Sequence, residues 1–314
     1  MELLGGFDDL PSEVWTDLLA RSEAPCVFLT RTWMETWWRA LGAGRLILLA
    51  ATRDGYPLAL APLHTHDGVT RFLGTDSADY LDFLGDTSEP VVLESLLAAA
   101  RDATGTDQFR LTVIPEHSPT SSRLRAAAGR LTLTIGAEEP MPAPWLDDGG
   151  LPHAARRRSL LRHTRWFERQ DPVTAIHTSQ PEEIAAHLDD FFRQHVERCT
   201  IAPYASLFED PRQREFYRQL ALSGADWLRF TRIEWRGHAI AYHFGMCFRG
   251  SFLWYKPSFE LALAARSPGE VLLRHLLVAA HEEGARTFDF GIGDEAFKYR
   301  FATSVGHVRT WTLA

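Results

Sequence analysis

Lysine and asparagine are nearly missing from this sequence of 314 residues. There is no Asn, and among the 33 Lys and Arg residues only Lys256 and Lys298 are lysines. Codons for Lys and Asn are rich in A, so a GC-rich genome accounts for both shortages. Because Arg then serves wherever any cation suffices, the two remaining lysines are candidates for positions that require a compact ammonium group.

Cysteine is scarce as well. Cys26, Cys199 and Cys247 are odd in number and far apart, so the sequence shows neither a disulfide framework nor a CxxC metal site. His64 and His66 offer two ligands on a hairpin tip, which is too few for a metal site. We therefore expect free thiols and no metal cofactor.

Long apolar runs and excess positive charge are also missing. No segment approaches the length of a membrane span, and the N-terminus carries acids where a signal peptide carries Lys or Arg. The net charge of −8 gives no global attraction for nucleic acid, so we expect no DNA partner. The remaining composition, 45% hydrophobic and 24% charged, is that of a soluble globular protein. We expect a cytoplasmic location and no membrane span.

Two similar α/β units follow one another along the chain. In each, two helical segments precede three successive strands, and a helix, a strand, a second helix and a final strand complete the order. The Pro-rich stretch AEEPMPAPWLDDGG joins the two halves. We predict an N-terminal domain over residues 1–138, a linker over 139–151 and a C-terminal domain over 152–314.

A dinucleotide fingerprint is spelled by Gly291, Gly293 and Ala296 after an apolar run. That interpretation needs further βα units and an acidic residue about 20 positions later, and too few residues follow in this sequence. The two glycines instead predict a sharp turn between a strand and a short helix.

Four motifs in the second half occur in the order that this element pattern requires. They are FxxxHxxR over 191–198, AYHFGMCFRGSFLWYKPSF over 241–259, SPGEVLLRHLL over 267–277 and FDFGIGDEAFKY over 288–299. With the element order, they resemble the GNAT acyltransferase superfamily, and the tandem arrangement resembles its FemAB-like and CelD-like branches. The resemblance covers most of residues 150–314 and, more loosely, 25–136. It implies an α/β (α+β) protein with tandem GNAT-like domains, in which helices flank mixed central sheets.

The resemblance implies acyl-CoA as the donor, with acetyl-CoA expected. In GNAT enzymes the CoA pyrophosphate binds backbone N–H groups at the N-terminus of the helix after the fourth strand. That place corresponds here to Arg266, Ser267 and Gly269, and Lys256 lies nearby at the end of the fourth strand. The segment departs from the superfamily's R/QxxGxG/A loop, because it has one glycine and carries Glu270 where a small residue is expected.

Catalytic residues are also implied. An aliphatic amine is mostly protonated at pH 7, so a base is useful; His243 and His195 are the candidates, although both also fit core positions. Tyr299 follows the place where many GNAT enzymes carry the tyrosine that protonates the leaving thiolate. Lys298 matches the lysine of the Phe-Lys-x-x-Phe element of FemAB-like transferases, which faces phosphates or the reacting carbonyl.

Acceptor binding is less specific in the sequence. Arginines recur at helical spacing in RRRSLLRHTRWFER, as on a solvated helix or on a surface for an acidic or phosphorylated acceptor. We take Arg162, Tyr255 and Asp294 as candidate substrate-binding residues. The loop over 199–211 is expected to shape the acceptor pocket.

The sequence therefore predicts an acyltransferase, most simply an N-acetyltransferase, that acts on an amine of a small molecule or a cell-envelope precursor. FemAB-like relatives use aminoacyl-tRNA as the donor instead, and the negative net charge and the lack of an inserted helical arm count against tRNA here. A catalytically silent partner protein with the same fold is the third alternative.

Overall fold

The chain folds into two compact units in the computed structural model, which describes residues 1–201 and 204–314. The first unit comprises Met1–Pro142 and Gly306–Ala314, and the second comprises Ala143–Val305. The loop expected to shape the acceptor pocket includes residues 202 and 203, which lie outside the described residues. Within the described part of the chain, no helix has both the length and the apolar character that a membrane crossing requires.

The first unit packs helices on a mixed sheet. Its elements are β1 (Glu2–Leu4), α1 (Ser12–Arg21), α2 (Arg31–Leu41), β2 (Arg45–Arg53), β3 (Tyr56–His66), β4 (Val69–Phe72), β5 (Leu84–Gly85), α3 (Pro90–Thr104), β6 (Phe109–Pro115), α4 (Thr120–Arg130), β7 (Ile135–Ala137) and, from the end of the chain, β14 (Ser304–Leu313). The strand order is β1-β2-β3-β4-β6-β14, with β5 on β3 and β7 on β14. β4 and β6 run parallel, whereas β6 and β14 are antiparallel.

The second unit contributes six strands of mixed orientation. Its elements are β8 (Met141–Asp147), α5 (Leu151–Ala155), α6 (Arg158–Glu168), β9 (Val173–Thr178), α7 (Pro181–Cys199), α8 (Pro211–Leu222), β10 (Leu228–Trp235), β11 (His238–Phe248), β12 (Ser251–Phe259), α9 (Pro268–Glu282), β13 (Thr287–Asp289) and α10 (Ala296–Tyr299). The strand order is β8-β13-β12-β11-β10-β9. β12 and β13 run parallel, and β10, β11 and β12 form an antiparallel meander.

Alternation along β11 gives the strands of the second unit two buried faces. Tyr242 and Phe244 meet an aromatic cluster that includes Phe191 of α7. Ala241 belongs instead to an apolar core shared with α5, α6 and α9. Because successive side chains of a strand point to opposite faces, one strand serves both cores. The layers are therefore α7 and α8, the sheet, and α5, α6 and α9.

The predicted α/β architecture, with mixed sheets flanked by helices, is confirmed. Two segments differ from the expected domain boundaries. The expected linker over 139–151 contains β8, which pairs antiparallel with β13, and β14 lies in the sheet of the first unit. Pro142 and Pro144 led to the prediction of a loop in place of β8, because a proline cannot donate a ladder hydrogen bond.

Candidate functional site

Strands β12 and β13 separate before β12 ends. They pair only between Ser251–Leu253 and Thr287–Asp289, whereas β12 continues along β11 to Phe259. Pro257, which has no N–H to donate, lies in the part of β12 beyond this pairing. Beyond Leu253, one edge of β12 therefore has no partner strand in the described part of the chain. The separation between this edge and the segment after β13 is called the opening below.

A β-bulge lies in β12 at the point of separation. Over Leu253–Lys256, β12 has one residue more than the facing part of β11, and such an insertion bends the bulged strand. Within the bulge, the N–H of Tyr255 donates to Nε2 of His243 at 3.1 Å. A side chain of the neighbouring strand thus accepts a hydrogen bond that a regular ladder would give to a carbonyl.

His243 is fully buried beneath this bulge. Its ring stacks on Trp254 with centroids 5.3 Å apart, and burial lowers the pKa of His243 to about 3. Since Nε2 accepts the Tyr255 N–H, the lone pair that a base would use is occupied. His243 is therefore unsuited to the role of general base that the sequence suggested.

His195, the other candidate base, is buried in α7. Its Nδ1 lies 2.7 Å from Oγ of Ser206, and Arg198 donates to its Nε2 at 3.5 Å. Burial, with the charges of Arg198 and Lys256, lowers the pKa of His195 to about 3. Both ring nitrogens are committed inside the protein, so His195 is also unsuited to collect a proton from a substrate.

Two positive charges lie at the end of β12. Nζ of Lys256 is 4.0 Å from the ring centroid of Tyr255, and the guanidinium of Arg198 is 6.0 Å from the ring of Phe259. Nε of Arg198 is buried without an acceptor among the described residues. Arg198 ends the motif FxxxHxxR, but the sequence analysis gave it no role; its place three residues after His195, on the same helix face, was the available signal.

Lys298 closes the turn that follows β13. Its side chain is buried, and Nζ donates to the carbonyl of Ile292 at 2.8 Å. The same ammonium pairs with the Glu295 carboxylate at 2.9 Å. Gly293 has φ +130, and a Cβ there would lie 3.0 Å from Nζ. The ammonium thus holds the turn from within. Its role toward substrate phosphates or a reacting carbonyl, which the sequence suggested, stays a prediction.

Tyr299 and Asp294 form a polar pair on the surface of the same turn. The Tyr299 hydroxyl donates to Oδ1 of Asp294, and the tyrosine is 42% exposed. This hydrogen bond is the main reason that the pKa of Tyr299 is raised above its ordinary value. The phenol therefore keeps its proton at neutral pH and is accessible to a substrate.

The N-terminus of α9 approaches the end of β12. A Cβ at Gly269 would lie 3.3 Å from Cδ1 of Phe259, so glycine permits this close contact. Ser267 occupies the N-cap, but it has φ 57 and its side chain makes no capping hydrogen bond. No N-cap side chain therefore accepts a hydrogen bond from the first backbone N–H groups of α9. Backbone N–H groups at the N-terminus of a helix favour the binding of anions.

Side chains of α6 flank this helix end. Arg266 lies over the ring of Trp166 at 4.5 Å, and the exposed Arg162 donates to Nε2 of His163 at 3.1 Å. The same ring nitrogen is 3.7 Å from the Glu270 carboxylate. Arg162 is therefore connected to the start of α9 through one intervening side chain.

The second unit brings the sequence candidates together in three places: the turn after β13, the end of β12 and the N-terminus of α9. His195 and His243 are buried in the interior of the second unit. No group of three or more His, Cys, Asp or Glu side chains suited to a metal ion occurs in the described part of the chain.

A family model described as "Acetyltransferase (GNAT) domain" matches residues 154–299. The second unit is a GNAT-type acyltransferase domain. This match contains the bulged strand, the start of α9 and the turn held by Lys298. It confirms the resemblance drawn from the four motifs. No protein of curated function matches the sequence.

Solved structures share the fold of the whole chain. FemX superposes with a TM-score of 0.70 at 13% identity, over 99% of this chain and 97% of that one. The C-terminal domain of a putative lysylphosphatidylglycerol synthetase from Agrobacterium fabrum gives 0.60 at 14%, over 96% and 91%. A tandem GNAT protein from the clavulanic acid biosynthesis pathway gives 0.57 at 15%, over 99% and 97%. The tandem GNAT-like architecture is therefore confirmed.

Proposed function

We propose that the GNAT domain transfers an acyl group, acetyl in the simplest case, from acyl-CoA to the amine of a small-molecule or cell-envelope acceptor. The observation that carries this proposal is the opening between β12 and the turn after β13, beside the N-terminus of α9. A thioester there has an anion-binding helix end on one side and the Tyr299–Asp294 pair on the other. The fold shared with a lysylphosphatidylglycerol synthetase domain supports an envelope-related acceptor.

Each polar group has a role in this proposal. The amine nitrogen attacks the thioester carbon, a C–N bond forms and the C–S bond breaks. The cationic amine bound by Asp294 first releases one proton to solvent, so that the attacking nitrogen is neutral; Tyr299 then gives its proton to the leaving thiolate and regains one from the nitrogen of the adduct. Arg266, Ser267 and Gly269 bind the donor pyrophosphate at the start of α9. Lys256 and Arg198 bind anionic groups at the end of β12, and Arg162 and Tyr255 line the approach.

A thermal-shift screen of CoA thioesters tests the donor. A ligand at about 100 times its Kd stabilises the protein by roughly 2.7 kcal/mol, so a true donor raises the melting temperature. Tyr299→Phe should keep this stabilisation but lower turnover by roughly 10²-fold or more. Tyr56→Phe, which changes an exposed tyrosine of the first unit, is the control and should keep full turnover. The acyl-CoA proposal fails if no CoA thioester stabilises the chain.

The position of Glu270 favours a second candidate donor, aminoacyl-tRNA. Its carboxylate lies in the first turn of α9, where a negative charge opposes a bound pyrophosphate. An aminoacyl ester presents no pyrophosphate at this position. Transfer of a labelled amino acid from charged tRNA to an amine acceptor, without stabilisation by CoA thioesters, would favour this donor. Inactivity with both donors would favour the non-catalytic partner protein.

A further inference from the structure

We infer that His243 is a positioning residue, whose imidazole holds the bulge of β12 in place and thereby sets the shape of the acyl-transfer opening. The catalytic part of this inference rests on the proposed function. The hydrogen bond from Tyr255 to His243, and the bulge that it closes, stand on geometry alone.

The hydrogen bond fixes the tautomer of His243. A backbone N–H can only donate, so Nε2 must be unprotonated and Nδ1 must carry the ring proton. Nδ1 is buried and has no partner among the described residues. An unpaired buried N–H destabilises a fold, and an apolar side chain would avoid that cost. The hydrogen-bond acceptor at Nε2, which an apolar side chain lacks, is the reason for an imidazole at this position.

The bulge needs such an acceptor. It takes the Tyr255 N–H out of the regular ladder, and a buried N–H without a partner is strongly disfavoured. His243 supplies the missing acceptor from the adjacent strand, and its ring stacks against Trp254 and Phe252. Gly245 makes room, because a Cβ there would lie 1.9 Å from Cε1 of the ring.

Without this acceptor, the Tyr255 N–H would regain a partner if the bulge closed and β12 paired with β11 in a regular ladder. A slip of one residue moves every following side chain of a strand to the opposite face. Tyr255 and Lys256 would then leave their present face, and the opening beyond Leu253 would change shape. His243 therefore determines which side chains of β12 reach the site, although it does not touch the substrate.

Nitrogen NMR of the full chain labelled with ¹⁵N-histidine tests the hydrogen bond independently of activity. His243 should show a protonated Nδ1 and an unprotonated Nε2 throughout pH 5–8, because burial lowers its pKa to about 3. With ¹⁵N in the backbone as well, a scalar coupling should join Nε2 to the amide nitrogen of Tyr255. Titration of this ring near pH 6.5, or a proton on Nε2, would overturn the inference.

Two substitutions of the same residue test the positioning role. His243→Gln can place an oxygen near the position of Nε2, and we expect turnover within about threefold of wild type with an unchanged pH profile. His243→Phe keeps the stacked ring without an acceptor, and turnover should fall at least about tenfold. Gly245→Ala should resemble His243→Phe, because it displaces the ring. Wild-type turnover in folded His243→Phe would contradict the inference, whereas inactivity of the wild-type chain would reject only the proposed function.

Discussion

Lys298 supplies hydrogen-bond donors to a single turn. It is one of two lysines in a chain that otherwise uses arginine, and its ammonium lies inside the turn with the Ile292 carbonyl and the Glu295 carboxylate. A guanidinium is larger and planar, and the Nζ atom lies only 3.0 Å from the place of a Cβ on Gly293. The compact ammonium therefore suits this position better than arginine does.

Replacing Lys298 should disturb the turn and, through it, Tyr299 and Asp294. We expect Lys298→Met to destabilise the domain by about 1–3 kcal/mol, because buried acceptors lose their donor. Turnover should fall by roughly 10²-fold as the Tyr299–Asp294 pair is displaced, and Lys298→Arg should show a smaller loss. Arg193→Met, which removes an exposed helix pair with Glu197, is the control. Near wild-type kinetics in both Lys298 variants would rule out a role for this residue in the site.

Asp82 is a buried carboxyl group of the first unit. It accepts hydrogen bonds from Ser118 Oγ at 2.5 Å, Thr120 Oγ1 at 2.7 Å and the Phe83 N–H at 2.8 Å. Burial nevertheless raises the pKa of Asp82 from 3.8 to about 6, against the effect of these donors. The folded protein therefore binds this proton more tightly than the unfolded chain does.

The free energy of unfolding should depend on pH through Asp82. Between pH 4 and 6 the unfolded chain releases this proton first, so stability falls as the pH rises, by about 3 kcal/mol in total, and is constant above that window. Asp82→Asn has no such ionisation. The difference in urea midpoint between wild type and Asp82→Asn should therefore change across pH 4–6 and level off above it. A constant difference would show that Asp82 does not titrate in this range.

Elements with strong local signals were predictable, and those that depend on distant partners were not. Pro181, Pro211 and Pro268 begin α7, α8 and α9, as proline at the first helical position indicates. Strand β8 was not predictable, because its prolines hide it and its partner β13 is far away in sequence. The bulge in β12 was equally hidden, since the acceptor that holds it is a histidine of another strand.

The first turn of α9 allows a test of the donor site at the scale of one element. Glu270 pairs there with Arg300 at 3.0 Å, and its charge opposes a bound pyrophosphate. Glu270→Gln should tighten binding of CoA by about threefold to tenfold at low salt, with a smaller gain at high salt. Gly269→Asp should weaken binding, but it also crowds Phe259, so Glu270→Gln is the cleaner change.

Calorimetric titration with CoA measures this effect. Glu282→Gln, at the opposite end of the same helix, is the matched control and should leave CoA affinity unchanged. Equal affinity in wild type and Glu270→Gln would place the pyrophosphate away from the start of α9.

At the scale of the whole molecule, each unit contains chain segments that the sequence assigned to another part. The repeated order of elements predicted two α/β units, and the units exist. The order gave no information about which strands would pair with the last one, because the residues that pair with β14 lie far from it in sequence. The same limit applies to the candidate site: the sequence proposed Lys256, Lys298 and Tyr299 by type and place, but the partners of their polar groups depend on contacts between distant segments.

The last strand, β14, should be essential to the first unit. Val308, Trp311 and Leu313 are buried, and β14 pairs with β6 on one side and β7 on the other. Burial of these three side chains contributes about 5 kcal/mol or more, which is comparable to the whole stability of many domains. Deletion of residues 304–314 should therefore unfold the first unit.

Protection of backbone amides against hydrogen exchange in the truncated chain tests this prediction. Amides of β6 should lose their protection, while amides of the β11 and β12 pairing in the second unit should retain more of theirs. A peptide of residues 303–314, supplied during refolding, should restore protection in β6, because it replaces the missing pairing on both sides. The same peptide with Trp311→Ala and Leu313→Ala should not, because it lacks the buried side chains. Native protection of β6 in the truncated chain would mean that the first unit is complete without its last strand.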